Sequence, residues 1–263
     1  MPLSIAIITL NEEDRIARCL KSARFAEEIL VVDSGSTDKT VEIARSFGAR
    51  VLFEPWRGYA GQKQFAVDSC QNEWVLILDA DERIPGDTQH AIAEIVADPD
   101  QEIAAYSFNR KNFFHNRWIR HCGWWPDRIV RLVHRGKGHF SDHLVHESWI
   151  ADGPVKDLSV NIEHYSFRDY SDLIHKLETY SSLAARQMLK NGKSSGSLAP
   201  LSHGLWMFLR TYLVELGVLE GFDGLIISIL NSGGSFMKYA KLRESLLHGH
   251  AHAVHTGERK KRV

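Results

Sequence analysis

Two carboxylates one residue apart, Asp79 and Asp81, directly follow the apolar run Trp74-Val-Leu-Ile-Leu78. Side chains two apart on an extended chain point to the same side. A pair of hard oxygen donors so placed suits Mg2+ or Mn2+, which bind one or two carboxylates together with substrate phosphates. An ion bridging a diphosphate would act as a Lewis acid on a departing nucleotide. Asp-x-Asp is also common in solvated loops, so its weight comes from its surroundings. A second cluster, Asp33-Ser-Gly-Ser-Thr-Asp38, closes the apolar segment Ile29-Leu-Val-Val32. Its glycine permits a tight turn, and its hydroxyls and carboxylates can cap a following helix. Asp33 is also a candidate acceptor for the base or ribose of a nucleotide. Thr9, Asn11 and Glu12 close a third apolar segment, which starts at Ser4.

These clusters need a frame that brings strand ends together. Over the first hundred residues, strand patterns at 4–10, 29–32, 50–53 and 74–78 alternate with helical ones at 12–22, 40–47, 61–70 and 87–97. Such alternation with apolar strands predicts an α/β fold, a mostly parallel sheet covered on both faces. Ligands in such sheets sit at the carboxyl ends of the strands, where all three clusters fall. Residues 104–164 read as further strands and long loops, antiparallel at the sheet edge. The domain is expected over 1–190, with an amphipathic helix at 169–190. Residues 191–198 read as a Gly/Ser linker and 199–247 as amphipathic, apolar helices. From 248 onward a disordered basic tail is expected. Arg210, Glu215 and the run Asn231-Ser-Gly-Gly234 argue against membrane spans in the helical part.

The 263 residues are 44% hydrophobic and 25% charged, enough for one large α/β domain with an appendage. Lys+Arg at 32 against Asp+Glu at 33 argues against a nucleic-acid partner, which needs a basic excess. Cys19, Cys70 and Cys122 have neither disulfide-framework nor zinc spacing, so a reducing, cytoplasmic compartment is expected. The run 3–10 reads as a first strand and not as a signal peptide. Trp124, Trp125, Arg128 and Arg131 form a cluster in which tryptophans can stack on sugar faces and arginines can clamp phosphates. His139, His143 and His146 raise a zinc alternative, disfavoured by the neighbouring Gly136 and Gly138 and by the absence of an H-E-x-x-H pattern.

Three stretches in register, Ile-Ile-Thr-Leu-Asn-Glu-Glu13, Val-Val-Asp-Ser-Gly-Ser-Thr-Asp-Lys-Thr40 and Trp-Val-Leu-Ile-Leu-Asp-Ala-Asp-Glu82, resemble the opening of family 2 glycosyltransferases. The resemblance implies a GT-A, Rossmann-like nucleotide-sugar-binding fold, inverting chemistry and a nucleoside-diphosphate-sugar donor. It places Thr9, Asn11, Glu12 and Asp33 at the nucleotide, Lys63 near the phosphates, and Asp79 and Asp81 at diphosphate and metal. Ser34 departs from it, since many members carry a second acid there. Glu147 resembles the acid that supplies the base in this fold, with Asp142 as the fallback, and His164 stands where such enzymes often supply a metal-binding histidine. The segment Pro126-Asp-Arg-Ile-Val-Arg-Leu132 fits donor or acceptor contact by Arg128, Arg131, Trp124 and Trp125.

The run 210–242 is similar to the tail of bacterial lipopolysaccharide-core glucosyltransferases. That implies UDP-glucose as donor and an inner-core heptose on a lipid-anchored glycan as acceptor. Helices bearing Leu205, Trp206, Phe208, Leu209, Tyr212 and Leu213, with a basic tail, suit the cytoplasmic face of an anionic membrane or packing on a partner. The alternatives are a polyprenyl-phosphate glycosyltransferase and a non-catalytic nucleotide-sugar-binding protein.

Overall fold

The structure, a computed structural model, describes residues 2–141 and 148–259, with side chains through Leu247. The chain divides into two compact units: Met1–Trp118 with Trp124–Ser166, and Ile119–Gly123 with Phe167–Val263.

In the first unit the elements follow as β1 Leu3–Thr9, α1 Ile16–Ala23, β2 Glu28–Asp33, α2 Thr40–Ser46, β3 Arg50–Phe53 and α3 Gly58–Asp68. After them come β4 Trp74–Asp79, β5 Glu82–Arg83, α4 Gly86–Ala97, β6 Ala105–Phe114 and β7 Arg117–Trp118. The unit closes with β8 Arg128–His134, β9 Gly138–Phe140, β10 Trp149–Ala151 and β11 Val155–His164. The main sheet has the order β3-β2-β1-β4-β8-β6-β11-β5. Parallel pairing joins β3, β2, β1 and β4, as the alternating sequence requires, and also β6 with β11.

The antiparallel pairings of β8 and β6 do not lie at the edge, where the sequence pattern leads one to expect them; only the two-residue β5 pairs antiparallel there. β8 pairs with β4 and β6 with β8, inside the sheet. The cause is burial on both faces: Val133 and Ala105 pack on one side, Leu132, Tyr106 and Phe108 on the other. Strands apolar on both sides need cover on both sides. Along β1, too, period-two alternation splits an apolar run: Leu3, Ile5 and Ile7 join the cluster under α1 and α4, while Ala6 and Ile8 face α3.

Register fixes where chemistry can happen. Thr9 pairs with Asp33, and Ile8 with Asp79, so three strands end together. At the opposite end, buried Glu28 accepts from Ser4 Oγ at 2.5 Å, Gln71 N–H at 2.7 Å and the Arg50 guanidinium at 2.6 Å. Burial works to raise its pKa, but these donors lower it. With its donors supplied by the fold itself, Glu28 is a strut for β1, β2 and β3.

The second unit contains α5 Tyr170–Lys190, α6 Ala199–Leu209, a π-helical turn Arg210–Val214, a 3-10 turn Gly217–Glu220 and α7 Gly221–Arg259. α5 therefore belongs here and not with the sheet, as the sequence reading has it. Its partner is α7: Lys241 donates to Glu178 O at 3.1 Å, Ser181 Oγ at 2.9 Å and Ser182 Oγ at 2.7 Å. The Asn231-Ser-Gly-Gly234 run does not interrupt α7. It lets neighbours come close, with Ser232 Oγ on Gly204 O at 2.8 Å and Leu177 against Gly233 and Gly234. α7 continues past residue 248, where the sequence reading begins a disordered tail. Segment 119–123 joins this unit through buried Glu220, which accepts from Arg120 N at 2.9 Å and lies 2.7 Å from His121 Nδ1.

Candidate active site

The loops after β1 and β2 are stitched to each other. Asn11, with a left-handed φ of 56°, donates its N–H to Ser36 Oγ at 2.8 Å and accepts from Thr37 N at 2.8 Å. Glu12 N–H donates to Thr40 Oγ1 at 2.7 Å. The Asp33 carboxylate, expected to meet a nucleotide, accepts from Gly35 N and Ser36 N at 2.9 Å each and from Ser36 Oγ at 2.5 Å. The Glu12 carboxylate forks onto Arg15, at 2.6 and 2.7 Å. Asn11, Glu12 and Asp33 thus shape the loops. Thr9 differs: its hydroxyl is buried with no hydrogen-bond partner, an unmet need that buried polar groups rarely carry.

Asp79 ends β4 between two cations. Lys63 Nζ lies 3.1 Å from Oδ1, and Arg131 donates to Oδ2 at 2.6 Å. The same Arg131 nitrogen donates to Glu82 Oε1 at 2.7 Å, which Arg110 also reaches at 3.3 Å; Arg110 in turn bonds Asp127 at 2.8 Å. Glu82 is fully buried and also accepts from Asp79 N–H at 3.1 Å. A β-bulge aims Arg131. Tyr106 pairs with Leu132 and Ser107 with Val130, so Arg131 is the extra residue of β8. A bulge re-aims a side chain in this way.

Burial by itself would raise the Asp79 carboxyl, but Lys63 and then Arg131 outweigh it and hold its pKa well below the usual carboxylate range. Burial likewise opposes the Arg131 cation, and Glu82 and Asp79 more than reverse that. With 26% of its side chain still exposed, Asp79 is open to a ligand. A pH dependence follows. Unfolded, Asp79 has the ordinary pKa of 3.8, and folding depresses it. The stabilisation is complete above the unfolded value and is lost as pH falls through it toward the folded one. The urea midpoints of wild type and Asp79→Asn are therefore expected to differ by a steady amount near pH 7 and to draw together only as pH falls below about 4; a gap that stays constant there would show that Asp79 does not carry this linkage.

Asp81 lies two residues on. Its Oδ1 is 3.6 Å from His164 Nε2, and its Oδ2 is 3.7 Å from Arg15. His164 arrives here because the end of β11 pairs with β5, His164 opposite Glu82. Asn112 settles the imidazole's tautomer. Its Nδ2 donates to Trp124 O at 3.1 Å and to Asp127 Oδ2 at 2.9 Å, both pure acceptors. Its Oδ1 therefore faces His164 Nδ1, at 2.6 Å, and must accept from it. In the neutral ring Nε2 then presents a lone pair toward the Asp81 carboxylate. A histidine ligand oriented by a hydrogen bond from its other nitrogen is the usual arrangement at metal centres. Asp81 and His164 fit a divalent cation completed by phosphate oxygens. Among the described residues, no group of three or more His, Cys, Asp or Glu side chains is placed to hold a metal ion by itself.

Other expected residues lie elsewhere. Arg128 turns to Ser107 Oγ at 2.9 Å and Asp157 at 3.1 Å, away from Asp79. Trp125 packs edge-on against Trp118, ring centres 5.1 Å apart. Trp124 is half-buried, and its carbonyl helps to orient Asn112. Asp142, His143, His146 and Glu147 lie outside the described residues, while His139 is exposed on β9. The sequence reading missed Arg15, Glu82, Arg110 and Asn112. Glu82 carried a signal, an acid directly after Asp79-Ala-Asp81; the other three carried none.

Comparison with known proteins shows the family. Residues 4–157 match the family model described as Glycosyl transferase family 2. An uncharacterized glycosyltransferase of Rickettsia typhi is 34% identical over 253 residues, 92% of this chain and 87% of that protein. The lipopolysaccharide core biosynthesis glycosyltransferase LpsC of Rhizobium meliloti is 31% identical over 259 residues, 91% of this chain and 94% of its own. Among solved structures, S. aureus TarS 1-349 in complex with UDP-GlcNAc is 15% identical, with a TM-score of 0.48, over 95% of this chain and 92% of that one. The molecule is a glycosyltransferase with a GT-A fold, a mixed α/β sheet followed by C-terminal helices. It belongs to glycosyltransferase family 2.

Proposed function

We propose that this chain transfers glucose from UDP-glucose, with inversion, to an inner-core or related surface glycan carried on a lipid at the cytoplasmic face of the membrane. The observation that carries the reading is the convergence of Asp79, Asp81, His164 and Lys63 where β1, β2 and β4 end. The likeness over nearly its whole length to LpsC, named for lipopolysaccharide core biosynthesis, supports the acceptor class.

Asp81 and His164 Nε2 would hold Mg2+ or Mn2+, and Asn112, by accepting from Nδ1, leaves the lone pair of the neutral ring on Nε2. When bound, the cation supplies Lewis acidity toward the departing diphosphate. Lys63 and Arg131 set positive charge beside Asp79, where the diphosphate would lie. The thread of motifs assigns the base that removes the acceptor hydroxyl proton to Glu147, with Asp142 second. Trp124 and Trp125 are assigned to the acceptor side, with Thr9, Asn11, Glu12 and Asp33 toward the nucleotide; Arg128, expected at the donor, is engaged by Ser107 and Asp157.

Radiolabelled UDP-glucose tests this against a deacylated, heptose-terminated acceptor and against polyprenyl phosphate. Label on the heptose acceptor, dependent on Mn2+, is expected. Label on polyprenyl phosphate alone, or equal transfer from GDP- and dTDP-glucose, would overturn acceptor or donor respectively. Asn112→Leu is expected to weaken Mn2+ activation by about 10–100-fold, the usual effect of removing a histidine's orienting partner. An unchanged Mn2+ requirement would remove His164 from the metal.

A further inference from the structure

Arg15 is the last residue before α1, and three segments of the first unit meet at its side chain. The guanidinium forks onto the Glu12 carboxylate, in the loop after β1, at 2.6 and 2.7 Å. Its Nη1 lies 3.4 Å from both Tyr165 O and Ser166 O, directly after His164, and 3.7 Å from Asp81 Oδ2. Only 15% of the side chain is exposed. Nothing local asks for an arginine here. It stands at the N-cap of α1, makes no side-chain cap bond there, and sets a cation at the helix end that favours anions. Nor is it needed to join the segments. Tyr165 N–H already donates to Asp81 O at 2.9 Å, and His164 pairs with Glu82 between β11 and β5.

What the guanidinium does change is the charge beside Asp81. Arg15 stands on the Oδ2 side, while Oδ1 faces His164 Nε2, the nitrogen that carries the lone pair. Asp79 and Glu82 are already opposed by Lys63, Arg131 and Arg110. Asp81 is therefore the carboxylate through which this end of the sheet attracts a dication, and a guanidinium fixed by Glu12 works against that attraction. At such separations like charges repel even in water, and more strongly where they are partly buried. A diphosphate reverses the balance, because its oxygens both ligate the cation and answer the charge of the guanidinium. Arg15 thus disfavours a dication that arrives alone and not one that arrives with a diphosphate.

We propose that Arg15 is a positioning residue that makes the binding of a divalent cation at Asp81 and His164 conditional on a diphosphate. It takes the Oδ2 side of Asp81, leaves Oδ1 toward His164, and holds a positive charge beside both. The inference rests on the reading of Asp81 and His164 as cation ligands, and on neither the sugar nor the acceptor.

Mn2+ titration of the full chain, followed by the electron paramagnetic resonance of free Mn2+ and corrected for Mn2+ held by UDP in solution, tests this without sugar transfer. Wild type is expected to bind Mn2+ at least about tenfold more tightly with saturating UDP than without it. Arg15→Met keeps the reach and removes the charge. It is expected to bind Mn2+ alone about three- to tenfold more tightly than wild type, and to gain correspondingly less from UDP. Arg15→Lys keeps the charge and should retain most of the wild-type dependence on UDP. A merely structural role would act the other way, weakening Mn2+ binding in both states. If Arg15→Met lowers the melting temperature, Arg15→Gln replaces it under the same criteria. Unchanged or weaker binding of Mn2+ alone by the uncharged variant, or loss of the UDP dependence in Arg15→Lys, would overturn the proposal. Those results would leave the cation site standing as long as wild type binds Mn2+ with UDP. Absence of wild-type binding even with UDP would remove the site and the inference together.

Discussion

Asp81→Asn is expected to lose about a thousandfold in transfer rate, or ~4 kcal/mol of transition-state stabilisation, while folding normally. The fold should survive because asparagine has the size and shape of aspartate and keeps an acceptor oxygen at Oδ1 toward the neighbouring His164. The backbone bond from Tyr165 N to Asp81 O, at 2.9 Å, does not depend on the side chain. Asparagine keeps the shape and removes the anionic ligand. Melting temperature, steady-state rate and Mn2+ titration on one preparation separate these effects. A variant that retains a tenth or more of the activity would take Asp81 out of the chemistry; one that is inactive and unfolded would make it a structural acid.

Arg131→Met should be costly in the opposite currency. Arg131 is buried, and one of its nitrogens binds both Asp79 and Glu82, at 2.6 and 2.7 Å. Methionine has the reach but no charge, so Glu82, itself without solvent contact, loses its nearest cation and keeps Arg110 at 3.3 Å. Removing one partner of a buried pair typically costs about 3–5 kcal/mol, since an uncompensated charge is left behind. Arg128→Met supplies the control three residues away. Its guanidinium sits partly in water beside an exposed Asp157, where ion pairs are worth about 0–1 kcal/mol. Urea unfolding at pH 7 should therefore separate the two variants widely. Equal destabilisation would mean that the Asp79–Arg131–Glu82 array does not behave as a buried network.

This pair of arginines shows what sequence could and could not convey. Both were expected at the donor because both occur in one polar, aromatic segment. Their divergence comes from the bulge opposite Tyr106 and Ser107, which no local residue pattern announces. The parallel half of the sheet was legible because each strand is short and largely apolar and three of the four end in a polar cluster. β8, β6 and β11 were not, because long-range pairing and not local periodicity put them inside the sheet. Glu82, Arg110 and Asn112 were missed for the same reason. Asn112 reaches the site through His164, 52 positions away, and Arg110 through Glu82, 28 positions away. The amphipathic pattern of 170–190 correctly announced a helix, but amphipathicity names a buried face and not the neighbour that buries it. Asp33 was read for both of its roles, turn and ligand, and the structure fills three of its acceptor directions from its own turn.

Metal-dependent nucleotide binding at Asp79, Asp81 and His164 is tested most directly by calorimetric titration of UDP into the wild-type chain, with Mn2+ and after chelation. Binding is expected in Mn2+ and should weaken by at least about tenfold on chelation, a loss of ~1.4 kcal/mol or more. UDP that binds equally well with and without the cation, or not at all in its presence, would contradict the site described here.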